Sequence, residues 1–220
     1  MSSPPLIQRL AGPVTGGVRA ALRAWLRLDA AGTDLVPDHG GVIVAANHSS
    51  HADSLALGGA IDRPLLYLGD AALGSTPLLG PLLPHLGLLP VDRGSADAEL
   101  MQQLAERIRG GAALVLYPEG SRSRTGEIHK PRSGVARLAA ATGAPVVPVG
   151  IDGTERAWPV DARPRLRSPV SVRLRVGAPM AAPEDTPRDR RAFQQELHEQ
   201  LVTLSGRPPA DGMAPVGGVA

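Results

Sequence analysis

The sequence predicts an α/β fold, a central mixed and largely parallel sheet flanked by helices, from three observations. Short apolar runs at 41–46, 64–68, 87–91, 112–117 and 145–151 are rich in Val and Leu, bounded by turn residues, and read as buried strands. Helical patterns fill the gaps at 52–60, 96–109 and 133–142, and strands that alternate with helices pair in parallel through crossovers. A later run, 170–176, sets Val170, Val172, Leu174 and Val176 against Ser171, Arg173 and Arg175, so one face is buried and the other wet.

The remaining elements follow in order. Residues 4–30 break at Gly12-Pro13 and Gly16-Gly17. Beyond the break Val18, Ala21, Leu22, Trp25 and Leu26 share one helical face, and Arg19, Arg23 and Arg27 line another. This is a basic amphipathic helix with a tryptophan on its apolar side. It reads as a helix lying in a membrane interface or as a core-packed helix whose arginines face water. Segment 71–90 holds eight leucines and no charge, yet is broken by Gly and Pro. It suits a buried helix with Pro caps, or an apolar wall for an acyl chain or a bilayer. A final polar helix is expected at about 187–204, and the Pro/Gly/Ala-rich tail 206–220 is expected to be disordered. The organisation expected is an amphipathic segment 1–30, one domain 31–205 and the tail.

Composition narrows the function classes. At 220 residues the chain fits one domain, and with only five aromatic residues its core must be built from Leu, Val and Ala. The absence of cysteine excludes disulfides, thiolate metal sites and a cysteine nucleophile. Lys130 is the single lysine among 23 basic residues, so nearly every cation is a guanidinium suited to bidentate phosphate or carboxylate contact. Scarce aromatics argue against a nucleic-acid partner. No apolar run approaches the roughly 18 residues of a membrane span, and no secretory leader is expected.

The chemistry-bearing residues lie at predicted strand ends, where open α/β sheets place their ligands. After the run GVIVAA comes Asn47-His48-Ser49-Ser50-His51-Ala52-Asp53. On a strand–turn–helix the Asp53 carboxylate can curl back on the His48 imidazole and make it an oriented base. After AALVL comes YPEGSRSRTG, a Gly-containing loop in which Arg122 and Arg124 are candidate donors to an anion. Glu119 would bind a hydroxyl or orient an arginine. Lys130 and Arg132 follow, bringing up to four cations around one loop. GLLPVDR ends in Arg93, placed to share the ligand face with His48, and PVVPVG (145–150) is a short strand at the site's edge. His51 is expected at a helix start, facing solvent or substrate. A zinc shared by His48 and His51 lacks further ligands at metal spacing.

NHSSHAD, GLLPVDR, YPEGSRS and PVVPVG stand here in the order and spacing of the four blocks of the glycerolipid acyltransferases. Across residues 40–152 the chain resembles the 1-acylglycerol-3-phosphate acyltransferase family. The resemblance implies transfer of a fatty acyl group from acyl-CoA or acyl carrier protein to a hydroxyl of a glycerol phosphate. The acceptor would be 1-acylglycerol 3-phosphate, giving phosphatidate, or else glycerol 3-phosphate or another hydroxylated lipid. It makes His48 and Asp53 the catalytic pair and ties Arg93, Glu119, Gly120, Ser121 and Arg122 to the phosphorylated acceptor. Lys130 and Arg132 fall where the family has a basic pair, here split by Pro131. Tyr117 and Ser121 replace the usual Phe and Thr. No metal or resident cofactor and no covalent acyl-enzyme are implied, and the expected location is peripheral, on the cytoplasmic face of a membrane.

Two rivals remain at this stage. One is a thioester or phosphoester hydrolase using the same His–Asp pair, although the G-x-S-x-G elbow is absent. The other is a lipid-binding module, which leaves His48, Asp53 and YPEGSRS unexplained.

Overall fold

The structure is a computed structural model, and it describes residues 6–70, 88–91, 97–165 and 169–215. Its strands are β1 (Leu28–Ala31), β2 (Val42–Ala46), β3 (Leu65–Asp70), β4 (Leu88–Val91), β5 (Ala113–Leu116), β6 (Val146–Asp152) and β7 (Val172–Val176). They form one seven-stranded sheet in the order β1-β7-β6-β2-β5-β3-β4. Only β6 with β7 is antiparallel, so the sheet is mixed and largely parallel, as the alternation predicts. Six strands fall on the apolar runs. Edge strand β1 escapes sequence reading, because its four residues LDAA carry no strong pattern and owe their place to pairing with β7, Leu28 opposite Val172.

Helices are α1 (Leu6–Trp25), α2 (Asp53–Ala60), α3 (Asp97–Arg109), α4 (Gly134–Thr142), α5 (Thr154–Ala157) and α6 (Pro187–Ser205). Central strand β2 is buried along its whole length because both sheet faces are covered. Its side chains alternate between two cores. Val42, Val44 and Ala46 join residues of α2, β6 and β7. Ile43 and Ala45 join Leu104 and Ile108 of α3, Leu138 of α4, and Phe193 and Leu197 of α6. Thr186 caps α6 by accepting from Asp189 N at 3.1 Å, with Pro187 opening the first turn. The far end of that helix lies directly on β6. A Cβ at Gly150 would stand 2.2 Å from the Leu204 carbonyl carbon, so only glycine permits this approach.

The chain ends differ from expectation. The anticipated break at Gly12-Pro13 and Gly16-Gly17 does not occur, and α1 runs through both. Its last turns aim two arginines at the end of α2 while leaving them in contact with water, Arg23 exposed and Arg19 partly so. Arg19 meets Asp62 at 2.6 Å, and Arg23 donates to the carbonyls of Gly59 and Ala60 at the end of α2. Cations there oppose the negative end of the α2 dipole and satisfy carbonyls that have no helical partner. Val18 is left 53% exposed. A boundary at residue 30 would cut β1, which is part of the sheet. The tail after Gly206 is not disordered through 215. Ile128 N donates to Pro208 O, Ala210 N to Ile128 O, and Lys130 N to Gly212 O at 3.0 Å. Its backbone bonds are therefore made against the segment that follows the arginine loop. Residues 71–87 of the leucine-rich segment, and Arg93, lie outside the described residues.

Candidate active site

Strands β2, β5 and β6 are parallel neighbours, so the turns after them meet at one edge of the sheet. Asn47 extends the β2–β6 pairing with its side chain, donating to Ile151 O at 2.9 Å and accepting from Ile151 N at 2.7 Å. The chain then turns, and Asp53 at the start of α2 curls back on His48. Its Oδ2 lies 2.8 Å from His48 Nδ1. Asp53 is fully buried, and the same oxygen accepts from Ser49 N at 2.8 Å and Ser50 N at 2.9 Å. Oδ1 accepts from the Thr154 hydroxyl on α5. A carboxylate held by this many donors fixes Nδ1 as the protonated imidazole nitrogen and leaves the lone pair on Nε2. The His48 side chain keeps 18% of its surface open.

Ser50 holds the turn from behind. Its hydroxyl lies 2.6 Å from Trp158 O and accepts from Ala52 N at 2.9 Å. Tyr117, the first residue after β5, stacks on the His48 ring with centroids 3.8 Å apart and planes 11° from parallel. From sequence, Thr154 and Ser50 carry no assigned role, and Tyr117 stands only as a replacement for the usual Phe. The serine and the tyrosine stand inside the quoted motifs, which was the available signal. Thr154 carries none, since only sheet register brings it to Asp53.

The arginine loop is arranged differently from expectation. The Glu119 carboxylate neither opens to solvent nor binds an arginine. It is fully buried, one oxygen accepting from His48 N at 2.8 Å and the other from His129 N at 2.9 Å. Burial pushes its carboxyl up to about 7, against the pull of those two amide bonds. Ser123 N donates to His48 O at 2.7 Å, so the loop is tied to both the amide and the carbonyl of the histidine. Gly120 has φ +80°, and a Cβ there would stand 2.7 Å from Arg132 Nε, whose side chain lies over it. Arg132 donates to Glu119 O at 3.2 Å and to Ala214 O at 2.7 Å, so it holds the protein's own backbone rather than a ligand.

The other cations of the loop stand in different surroundings. Arg124 pairs with Asp161 at 3.0 Å in solvent, and Lys130 is exposed. Ser121 is half-buried. Arg122 lies against His51, its Nη1 at 2.6 Å from Nδ1 and 2.5 Å from Nε2. His51 is thus half-buried against a guanidinium instead of simply facing solvent. Its Nε2 lies 3.4 Å from Val160 O, and its ring tilts against Trp158 at 5.1 Å. Desolvation and then the Arg122 charge lower its pKa, which keeps it neutral and able to accept from the arginine. Arg207, absent from the sequence reading, pairs with Asp152 at 3.0 Å and Glu155 at 2.5 Å. A cavity of about 520 Å³ opens beside Ser49, bordered also by Ser123, Arg124, Glu155, Asp161 and Arg207, and neither His48 nor Arg122 lines it.

Fold and site together define an α/β chain with a histidine–carboxylate pair at the strand-end edge of a largely parallel sheet. The family model described as Acyltransferase matches residues 27–152, and the chain belongs to that family. It is 26% identical over 119 residues to the chloroplastic 1-acyl-sn-glycerol-3-phosphate acyltransferase BAT2 of Brassica napus, covering 53% of this chain and 34% of the relative. It is 27% identical over 168 residues to a 1-acyl-sn-glycerol-3-phosphate acyltransferase of Pseudomonas aeruginosa, covering 75% of this chain and 63% of the relative. A lyso-ornithine lipid O-acyltransferase of the same organism is 35% identical over 107 residues, covering 48% and 41%. The matched stretch thus spans about a third of the plant relative and less than two thirds of both bacterial ones. The crystal structure of a 1-acyl-sn-glycerophosphate acyltransferase from Thermotoga maritima has a TM-score of 0.68 to this chain at 22% identity, covering 90% of this chain and 82% of that one. That likeness is one of fold.

Proposed function

We propose that this protein transfers a fatty acyl group from a thioester, acyl-CoA or acyl carrier protein, to a hydroxyl of 1-acylglycerol 3-phosphate, giving phosphatidate. The observation that carries the reading is the 2.8 Å contact between His48 Nδ1 and a fully buried Asp53. Family membership and the names of the relatives supply the reaction class.

In this reading His48 Nε2 takes the proton of the acceptor hydroxyl as its oxygen attacks the thioester carbonyl. The C–O bond forms, the C–S bond breaks, and the imidazolium returns the proton to the departing thiolate. Asp53 keeps its hold on Nδ1 throughout, steadying the charge on the ring. Arg122 is the candidate donor to the acceptor phosphate. Holding the acceptor there converts a collision into an oriented attack.

The acceptor is drawn from a membrane, and α1 is the candidate contact. Among the described residues no helix is long and apolar enough to cross one. With Arg19 and Arg23 turned toward α2, Val18 and Ala21 face outward, which suits reversible attachment at an interface.

Turnover of acyl-CoA and acyl carrier protein thioesters tests this, against a panel of 1-acylglycerol 3-phosphate, glycerol 3-phosphate and lyso-ornithine lipid. The third acceptor is included because a relative at 35% identity is named for it. Ester formation with the first acceptor, faster than thioester hydrolysis in its absence, is expected. Hydrolysis that ignores every acceptor would overturn the proposal.

A further inference from the structure

Asp53 fixes one end of the His48 ring, but a ring held at Nδ1 alone can still pivot about that hydrogen bond and swing Nε2 away from its target. Tyr117 closes that freedom, with its ring 3.8 Å from the imidazole centroid and the planes 11° from parallel. The placement is built into the sheet. Ala45 pairs with Leu116, so His48 and Tyr117 leave adjacent parallel strands at the same edge. Tyr117 is itself held, its hydroxyl 2.7 Å from Ser54 Oγ, and Ser54 O accepts from the Tyr67 hydroxyl at 3.0 Å. Ser54 directly follows Asp53, so one helix start anchors both the carboxylate and the aromatic ring.

The stacking geometry favours one protonation state. Two neutral rings face to face gain little, since aromatic pairs prefer offset or edge contacts. A cation over the face of a tyrosine is attracted to it. The contact is therefore stronger once the imidazole carries its second proton, and only interactions that strengthen toward the transition state speed a reaction. Burial, with the Asp53 charge, holds the Tyr117 phenol well above its ordinary range, so the ring stays neutral.

Resting on the reading of His48 as the base, we propose that Tyr117 is its positioning residue, the ring holding the imidazole plane and stabilising the imidazolium formed when the acceptor hydroxyl is deprotonated. The hydroxyl serves only to seat the ring.

The test compares the wild-type protein with Tyr117→Phe, with pentafluorophenylalanine incorporated at 117, and with Tyr117→Leu. The readouts are the kcat–pH profile and the His48 ring titration followed by NMR. Tyr117→Phe keeps kcat within about twofold. The fluorinated ring, similar in shape with its face charge reversed, lowers kcat by about tenfold with KM unchanged, and Tyr117→Leu does at least as much. In both, the acid limb and the His48 titration move to lower pH. A titration unmoved by the fluorinated ring overturns the proposal, as does Tyr117→Phe losing as much as Tyr117→Leu. Normal turnover by His48→Ala overturns the underlying reading instead, and the NMR titration separates the two failures.

Discussion

Asp53 directs a single carboxylate oxygen, Oδ2, at both the imidazole of His48 and the backbone amides of Ser49 and Ser50, all within 2.9 Å. The carboxylate therefore does two things at once. It shapes the turn that carries the histidine, and it sets which ring nitrogen holds the proton. Removing the charge should disturb both.

Asp53→Asn places an amide N–H₂ group where the backbone supplies donors. The expected result is a fall in kcat on the order of 10²- to 10⁴-fold, with KM little changed. A loss of about 1–3 kcal/mol in stability accompanies it, from buried donors left without an acceptor. Steady-state kinetics and urea denaturation of the same preparation measure the two effects.

Thr154 is fully buried and gives its hydroxyl to the other Asp53 oxygen. Thr154→Val keeps the shape and removes the donor, so kcat should drop by about tenfold while Thr154→Ser restores most of it. Equal activity in the valine and serine variants would show that Oδ1 needs no partner.

Glu119 makes a pH-dependent contribution to stability. Its carboxyl is raised from 4.5 to about 7 by burial, so between those values the folded protein holds a proton that the unfolded chain has released. Stability from this group therefore falls as pH rises from about 4.5 to about 7 and is level above. The unfolding free energy of wild type minus that of Glu119→Gln, measured by denaturation from about pH 4.5 to 8.5, should fall up to about pH 7 and then level off. A difference that grows contradicts a buried, proton-binding carboxyl.

Arg207 ties Asp152 at the end of β6 and Glu155 on α5 to the tail, and is itself only 9% exposed. Arg207→Ala should cost about 1–3 kcal/mol, below the figure for a fully buried pair because both carboxylates are about one-third exposed. The midpoint of a urea titration reads it. An unchanged midpoint would mean that the tail is not held through this arginine.

The sequence exposed what is local and concealed what is distant. His48 and Asp53 stand within one turn, so their contact follows from a strand, a short loop and a helix start. The strands of the sheet follow from short apolar runs with clear boundaries, which is why only the unpatterned β1 was overlooked. Arg132 escapes sequence reading for the opposite reason. Nothing near Arg132 in the chain reveals that its partners are Glu119 O and Ala214 O. Glu119 looked like a ligand-facing acid, and its buried role depends on a turn 71 residues earlier. Thr154 reaches Asp53 across 101 residues through the pairing of β2 with β6. Composition likewise misjudged the tail, whose prolines and glycines suit disorder but whose carbonyls meet amides at Ile128 and Lys130.

The most direct measurement is the rate of acyl transfer from an acyl thioester to 1-acylglycerol 3-phosphate by His48→Ala beside the wild-type protein, with circular dichroism to confirm that both are folded. A loss on the order of 10²-fold or more in kcat, with the fold intact, is the predicted result. Transfer by the folded variant at near wild-type rate would contradict the assignment of this imidazole as the base.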